Sequence, residues 1–154
     1  MHRGLPLVLV LAACAAETLE IDLLIEAPDC APSSFEQVSN IEIAVFGEHD
    51  GQPCLLDQRC LWQVDLEYGT LEGVDDFESA MRAANPPLVS GLLAGAQHVK
   101  VNGRESDCYA NDETLPSHPM CGGNDFAEVE DGSLPIVLTC DPEPCRREDV
   151  ELCP

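Results

Sequence analysis

Leu19-Glu20-Ile21-Asp22-Leu23-Leu24-Ile25-Glu26 places apolar side chains at 19, 21, 23 and 25, with mostly acidic ones between them. Successive side chains of an extended chain point to opposite faces, so this period of two predicts a strand with one buried and one wet face. The pattern returns where Ile41, Ile43 and Val45 alternate with Glu42 and Ala44, and again where Trp62, Val64, Leu66 and Tyr68 alternate with Gln63, Asp65 and Glu67. Runs around Val99 and Val101, and across Leu134-Pro135-Ile136-Val137-Leu138, bring the expectation to at least five strands. Pro135 has no N–H for a ladder and belongs at an edge or a strand start.

One stretch reads as helix. In Asp75 to Ala84 the apolar Phe77, Ala80, Met81 and Ala84 recur at helical spacing, Asp75 can cap with Glu78 answering three residues on, and Pro86-Pro87 end the run. Its Phe and Met read as core contacts. Turn signals fall at His49-Asp50-Gly51, Asn102-Gly103, Gly122-Gly123-Asn124 and Asp131-Gly132, with Asn102-Gly103 suited to a tight hairpin. Half-buried alternating strands with frequent turns indicate an antiparallel β-sandwich rather than a parallel α/β sheet. The fold expected is therefore mainly β and disulfide-rich, a single antiparallel sandwich of Ig-like or prealbumin-like type with one short helix near 75–84.

Ahead of the first strand, Met1-His2-Arg3-Gly4 carries one firm positive charge, and Leu5-Pro6-Leu7-Val8-Leu9-Val10-Leu11-Ala12-Ala13 is an uncharged apolar run. That is the layout of a secretory leader. The run is too short to cross a bilayer, which takes about 20 apolar residues. It ends in Leu11-Ala12-Ala13-Cys14, which resembles the lipobox of bacterial lipoproteins. The resemblance covers only the beginning of the chain. It implies that residues 1–13 are a cleaved signal peptide, that Cys14 carries diacylglycerol and an N-acyl chain, and that 14–17 form a short tether to a domain at 18–154. It also implies a place in the bacterial cell envelope. Ala15 stands where an Asp would signal inner-membrane retention, which points to the outer membrane. The alternative is an ordinary leader cut after Ala13, Ala15 or Ala16, with Cys14 a bystander.

Of the nine cysteines in the chain, lipidation of Cys14 leaves Cys30, Cys54, Cys60, Cys108, Cys121, Cys140, Cys145 and Cys153. An even remainder in an exported protein reads as a set of disulfides. Sequence leaves the connectivity open. Short spacing makes Cys54 with Cys60, and Cys108 with Cys121, the first pairings to expect. The rival is a thiolate metal site helped by His118-Pro119-Met120-Cys121, but there is no C-x-x-C pair to seed it.

A second resemblance concerns the domain. Gly91-Leu92-Leu93-Ala94-Gly95-Ala96-Gln97-His98-Val99-Lys100-Val101-Asn102-Gly103 is similar to a strand motif of carboxypeptidase regulatory-like, prealbumin-like sandwich domains. It departs from the motif at Gln97, where an aromatic residue is usual. The resemblance implies a sandwich, and a structural or binding accessory rather than a catalyst.

The formal charge of −22 excludes nucleic acid as a partner, since phosphates would be repelled. No nucleophile elbow, zinc-protease helix or phosphate loop is present. His49, His98 and His118 are the histidines left after the leader, none beside an obvious nucleophile, and His98 is expected on the wet face of its strand. Oxygen donors are plentiful at Asp75 and Asp76, at Asp112 and Glu113, and in the loop with Asn124, Asp125, Glu128, Glu130 and Asp131, yet no EF-hand spacing occurs. The expectation is a non-catalytic envelope lipoprotein, a module for an envelope protein or glycan, with no cofactor beyond the lipid. The alternatives are a calcium-binding lipoprotein using Asn124, Asp125, Glu128 and Asp131, and an enzyme with a dispersed site.

Overall fold

The computed structural model describes residues 21–61, 70–83, 95–106, 108, 117–146 and 150–154. Its elements are β1 (Asp22–Glu26), α1 (Pro32–Phe35), β2 (Asn40–His49), β3 (Gln52–Leu61), α2 (Val74–Ala83), β4 (His98–Arg104), β5 (Met120–Asp125), a 3-10 turn at Phe126–Glu128, and β6 (Ser133–Val137). β3, β2, β4 and β5 lie side by side in one antiparallel sheet, and β1 pairs with β6 in a second.

In β1 and β6 the alternation read from the sequence is the alternation of burial, whereas in β2 Glu42 and Ala44 are buried along with Ile41, Ile43 and Val45. Leu23 and Ile25 of β1 face inward with Leu134 and Ile136 of β6, while Leu24, Glu26, Pro135 and Val137 face outward. Ile41, Ile43 and Val45 of β2 join Val99 and Val101 of β4 in the same core, which Phe77, Ala80 and Met81 of α2 also enter. Phe77 is fully buried and meets Phe35 edge-to-face at 6.3 Å between ring centres, a favoured arrangement for aromatic pairs. Pro135 sits in a strand with a single ladder partner, where its missing N–H removes no bond on the open side.

Two tight turns use left-handed backbone. Asp50 and Gly51, at φ of 52° and 77°, close the β2–β3 hairpin, and Asp131 and Gly132 repeat the geometry at 49° and 78°. Their right-handed twist matches that of the flanking strands, which is why Asp-Gly is favoured there.

Several expectations are corrected. β1 and β6 run parallel, with Asp22 opposite Ser133, so the fold is not antiparallel throughout. A parallel pair needs a long crossover, and here residues 27–132 are that crossover. Asn102-Gly103 makes no hairpin, because both residues lie within β4, opposite Glu42 and Ile41 of β2. Gly122-Gly123-Asn124 is not a turn but part of β5. Its glycines are there for close approach, since a Cβ on Gly122 would strike the Val137 carbonyl and one on Gly123 would sit 2.7 Å from the His98 ring. β3 was not expected, as its Gln, Asp and Arg break the alternation, and a bulge between Val45 and Phe46 shifts its register.

α2 begins at Val74, so Asp75 lies within its first turn rather than at its cap. Instead Asp76 Oδ2 accepts the Glu72 N–H at 2.9 Å, and Glu78 Oε1 accepts the Ile25 N–H at 2.9 Å, binding the helix to β1. The strand expected at Trp62–Tyr68, the helix residue Ala84, and the start of the motif at Gly91–Ala94 lie outside the described residues.

Candidate functional site

Four disulfides join Cys30 to Cys140, Cys54 to Cys153, Cys60 to Cys108, and Cys121 to Cys145. The pairings Cys54–Cys60 and Cys108–Cys121 are thus wrong, and the first for a plain geometric reason. Cys54 and Cys60 both lie on β3, opposite Gly47 and Glu42 of β2. Six residues of strand separate them by about 20 Å, whereas bridged Cα atoms lie about 5.5 to 6 Å apart. Close spacing in sequence is distance in space when the spacer is a strand.

The observed bridges are long-range, with sequence separations of 110, 99, 48 and 24. Cys30–Cys140 couples the segment after β1 to the segment after β6. Cys54–Cys153 draws the C-terminal tail onto β3, where the Leu55 N–H donates to the Glu151 carbonyl and the Cys153 N–H to the Leu55 carbonyl, both at 2.9 Å. With these eight sulfurs in disulfides, none of them is a thiolate for the metal site weighed from the sequence. Cys14 and the leader lie outside the described residues.

The second feature was not expected. Glu42 was assigned to the wet side of β2, yet it is only 5% exposed. Its carboxylate accepts from Gln58 Nε2 on β3, from Asn102 Nδ2 on β4 at 2.9 Å, and from Arg104 Nη1 at 3.0 Å. Arg104, 4% exposed, also donates Nη1 to the Cys108 carbonyl at 2.8 Å. Its Nε and Nη2, and Asn102 Oδ1, are buried without a hydrogen-bond partner among the described residues. A buried carboxylate needs hydrogen bonds to offset the loss of water, and Glu42 is served by donors from two neighbouring strands, β3 and β4. The signal was legible in principle: Asn102 and Arg104 share one face of β4, and Glu42 stands across from Asn102.

The histidines are held separately. His98 Nδ1 lies 2.8 Å from Asp125 Oδ1, with its side chain 38% exposed, so it sits at the half-exposed surface expected of its face. The pair fixes the ring beside Phe46. His49 is 3.4 Å from Asp50 in the β2–β3 turn, and the His118 backbone N–H donates to the Cys145 carbonyl.

The oxygen donors considered for calcium are spread over β5, the 3-10 turn and the following hairpin. Asn124 Nδ2 donates to the Pro135 carbonyl and its Oδ1 accepts the Asp125 N–H, while Asp125 is engaged with His98. Glu128 is in the 3-10 turn and Asp131 in the Asp-Gly turn. Asp75 and Asp76 lie in the first turn of α2, and Asp112 and Glu113 fall outside the described residues. Among the described residues no three His, Cys, Asp or Glu side chains converge on a point where a metal ion could sit. No helix among them is long and apolar enough to cross a membrane.

No protein family matches the chain, and neither the curated proteins nor the solved structures searched include a match. The described residues therefore define a class by their architecture alone: a mainly β domain with an antiparallel four-stranded sheet, closed by four disulfides.

Proposed function

We propose that this chain is a non-catalytic lipoprotein of the bacterial cell envelope, held in the outer membrane by lipid on Cys14, whose domain is a structural or binding module for an envelope protein or glycan. The observation that carries the reading is a count. Nine cysteines are present, and eight are consumed pairwise within the domain. Cys14 is left with no cysteine to pair with, and it stands at the end of Leu11-Ala12-Ala13, where lipidation requires it. Two or three acyl chains would anchor it stably where one would not. A disulfide frame suits the oxidising side of the inner membrane.

We read the two sheets as the layers of a sandwich of Ig-like or prealbumin-like type, because the inward residues of β1 and β6 and those of β2 and β4 share one apolar core. The fold by itself assigns no activity, and we take the domain to act through its rigid surfaces, in a binding or structural role.

Intact mass of the protein extracted from bacterial membranes tests the anchor. A species that starts at Cys14, carries acyl chains and has lost two hydrogens per bridge is expected, and Cys14→Ser should move the protein to the soluble fraction. An unlipidated chain starting at Ala15 or elsewhere would overturn the anchor. An enzymatic activity abolished by changing His49, His98 or His118 in a folded domain would overturn the non-catalytic reading.

A further inference from the structure

The outer face of the β1–β6 pair is the one place among the described residues where large apolar side chains collect in the open. Of the three exposed ones, Leu24 at 43%, Val137 at 55% and Leu152 at 74%, the first two belong to this face. Exposed Pro135 lies directly opposite Leu24, and Val137 lies opposite Glu26. Leu24, Pro135 and Val137 thus form one small apolar patch across both strands, bordered by Asp22 and Glu26. Asp22 reaches Arg82 of α2 at 3.9 Å.

We propose that this face rests on the lipid surface to which Cys14 is attached. The proposal depends on the anchor reading and adds an orientation to it. Eight residues lead from Cys14 to Asp22, and a fully extended chain of that length spans at most about 29 Å. The strand carrying Leu24 is therefore held within that distance of the lipidated residue, close enough to meet the bilayer. A patch of this size would not recruit a protein from solution, because isolated exposed apolar residues are ordinary. Tethering changes the comparison, since a short link holds the partner surfaces at an effective concentration on the order of millimolar. A weak apolar contact is then enough to set which face points down. The net charge of −22 makes anionic headgroups repulsive, so the surface that fits is a zwitterionic one.

The test uses the full lipidated protein in phosphatidylcholine–phosphatidylethanolamine vesicles whose acyl chains are brominated, with Val137→Trp as reporter. Leu152→Trp, on the tail beside β3, is the reference, and the unaltered protein supplies the background of Trp62. Tryptophan at 137 should be quenched about twofold more than at 152, as expected for a side chain that enters the acyl boundary. Adding Leu24→Glu to the Val137→Trp variant should abolish the difference. Equal quenching at both positions in protein that floats with the vesicles overturns the docking while leaving the anchor standing. Quenching that survives Leu24→Glu also overturns it, since the introduced ring would then be driving its own insertion. Protein that does not float with the vesicles removes the anchor, and the docking with it.

Discussion

Removing the carboxylate of Glu42 should be among the most damaging single changes outside the apolar core. Glu42 accepts three hydrogen bonds from β3 and β4, and the charge of Arg104 is buried beside it. Glu42→Ala leaves that guanidinium with the Cys108 carbonyl as its remaining partner and strips Gln58 and Asn102 of an acceptor. Breaking one side of a buried ion pair costs about 3 to 5 kcal/mol. For a domain of this length that corresponds to a fall in Tm of roughly 10 to 20 °C. Arg104→Met alone leaves the carboxylate uncompensated and should cost a comparable amount. Glu42→Leu with Arg104→Met removes both charges together and should cost less than the sum, because no buried charge is left over. Chemical denaturation with the disulfides intact would give the free energies and the coupling between the two sites. A loss below about 1 kcal/mol for Glu42→Ala, or strict additivity in the cycle, would refute a buried, interdependent pair.

Gly51 needs its positive φ of 77° but has open space where a Cβ would go. Gly51→Ala should therefore cost about 1 to 2 kcal/mol from backbone strain alone, whereas Gly73→Ala, with equal space and no such φ, should leave the denaturation midpoint close to its starting value. Phe77→Ala empties a fully buried site against Phe35 and should cost about 3 to 5 kcal/mol by the same measurement. Calcium at millimolar concentration should leave Tm unchanged, because Asn124 and Asp125 are engaged with Pro135 and His98; a rise in Tm in a thermal scan would revive the cation reading, since a ligand of the folded state must stabilise it.

What the sequence disclosed follows from how local each signal is. The strands of Ile21 to Ile25, Ile41 to Val45, Val99 to Val101 and Leu134 to Leu138 were legible because apolar side chains recur with a period of two along the face that enters the core. β3 and β5 were not, for opposite reasons. β3 lies at the sheet edge with most of its side chains half-buried, so its pattern has no contrast. β5 carries two glycines because neighbouring groups crowd it, and glycine pairs read as turns when the crowding is invisible. Asn102-Gly103 misleads in the same way, being a turn dipeptide set within a central strand. The disulfide partners were illegible since sequence distance gives no separation in space until the structure of the spacer is known, and the strand between Cys54 and Cys60 was not read. Glu42 was misplaced because alternation sorts side chains by face, and it cannot tell that a second face is covered as well.

The Cys30–Cys140 bridge also governs how the domain carries mechanical load. A pull applied at the N-terminal end can strip β1 from β6, because only hydrogen bonds and packing hold Asp22 to Glu26. At Cys30 the path changes character, for the tension then divides between the onward backbone and a sulfur–sulfur link to Cys140. The nine residues from Asp22 to Cys30 can lengthen by no more than about 30 Å before that covalent stop is reached. After that short yield, tension entering from the N-terminal end is shared between two covalent paths, the backbone beyond Cys30 and the bridge to Cys140.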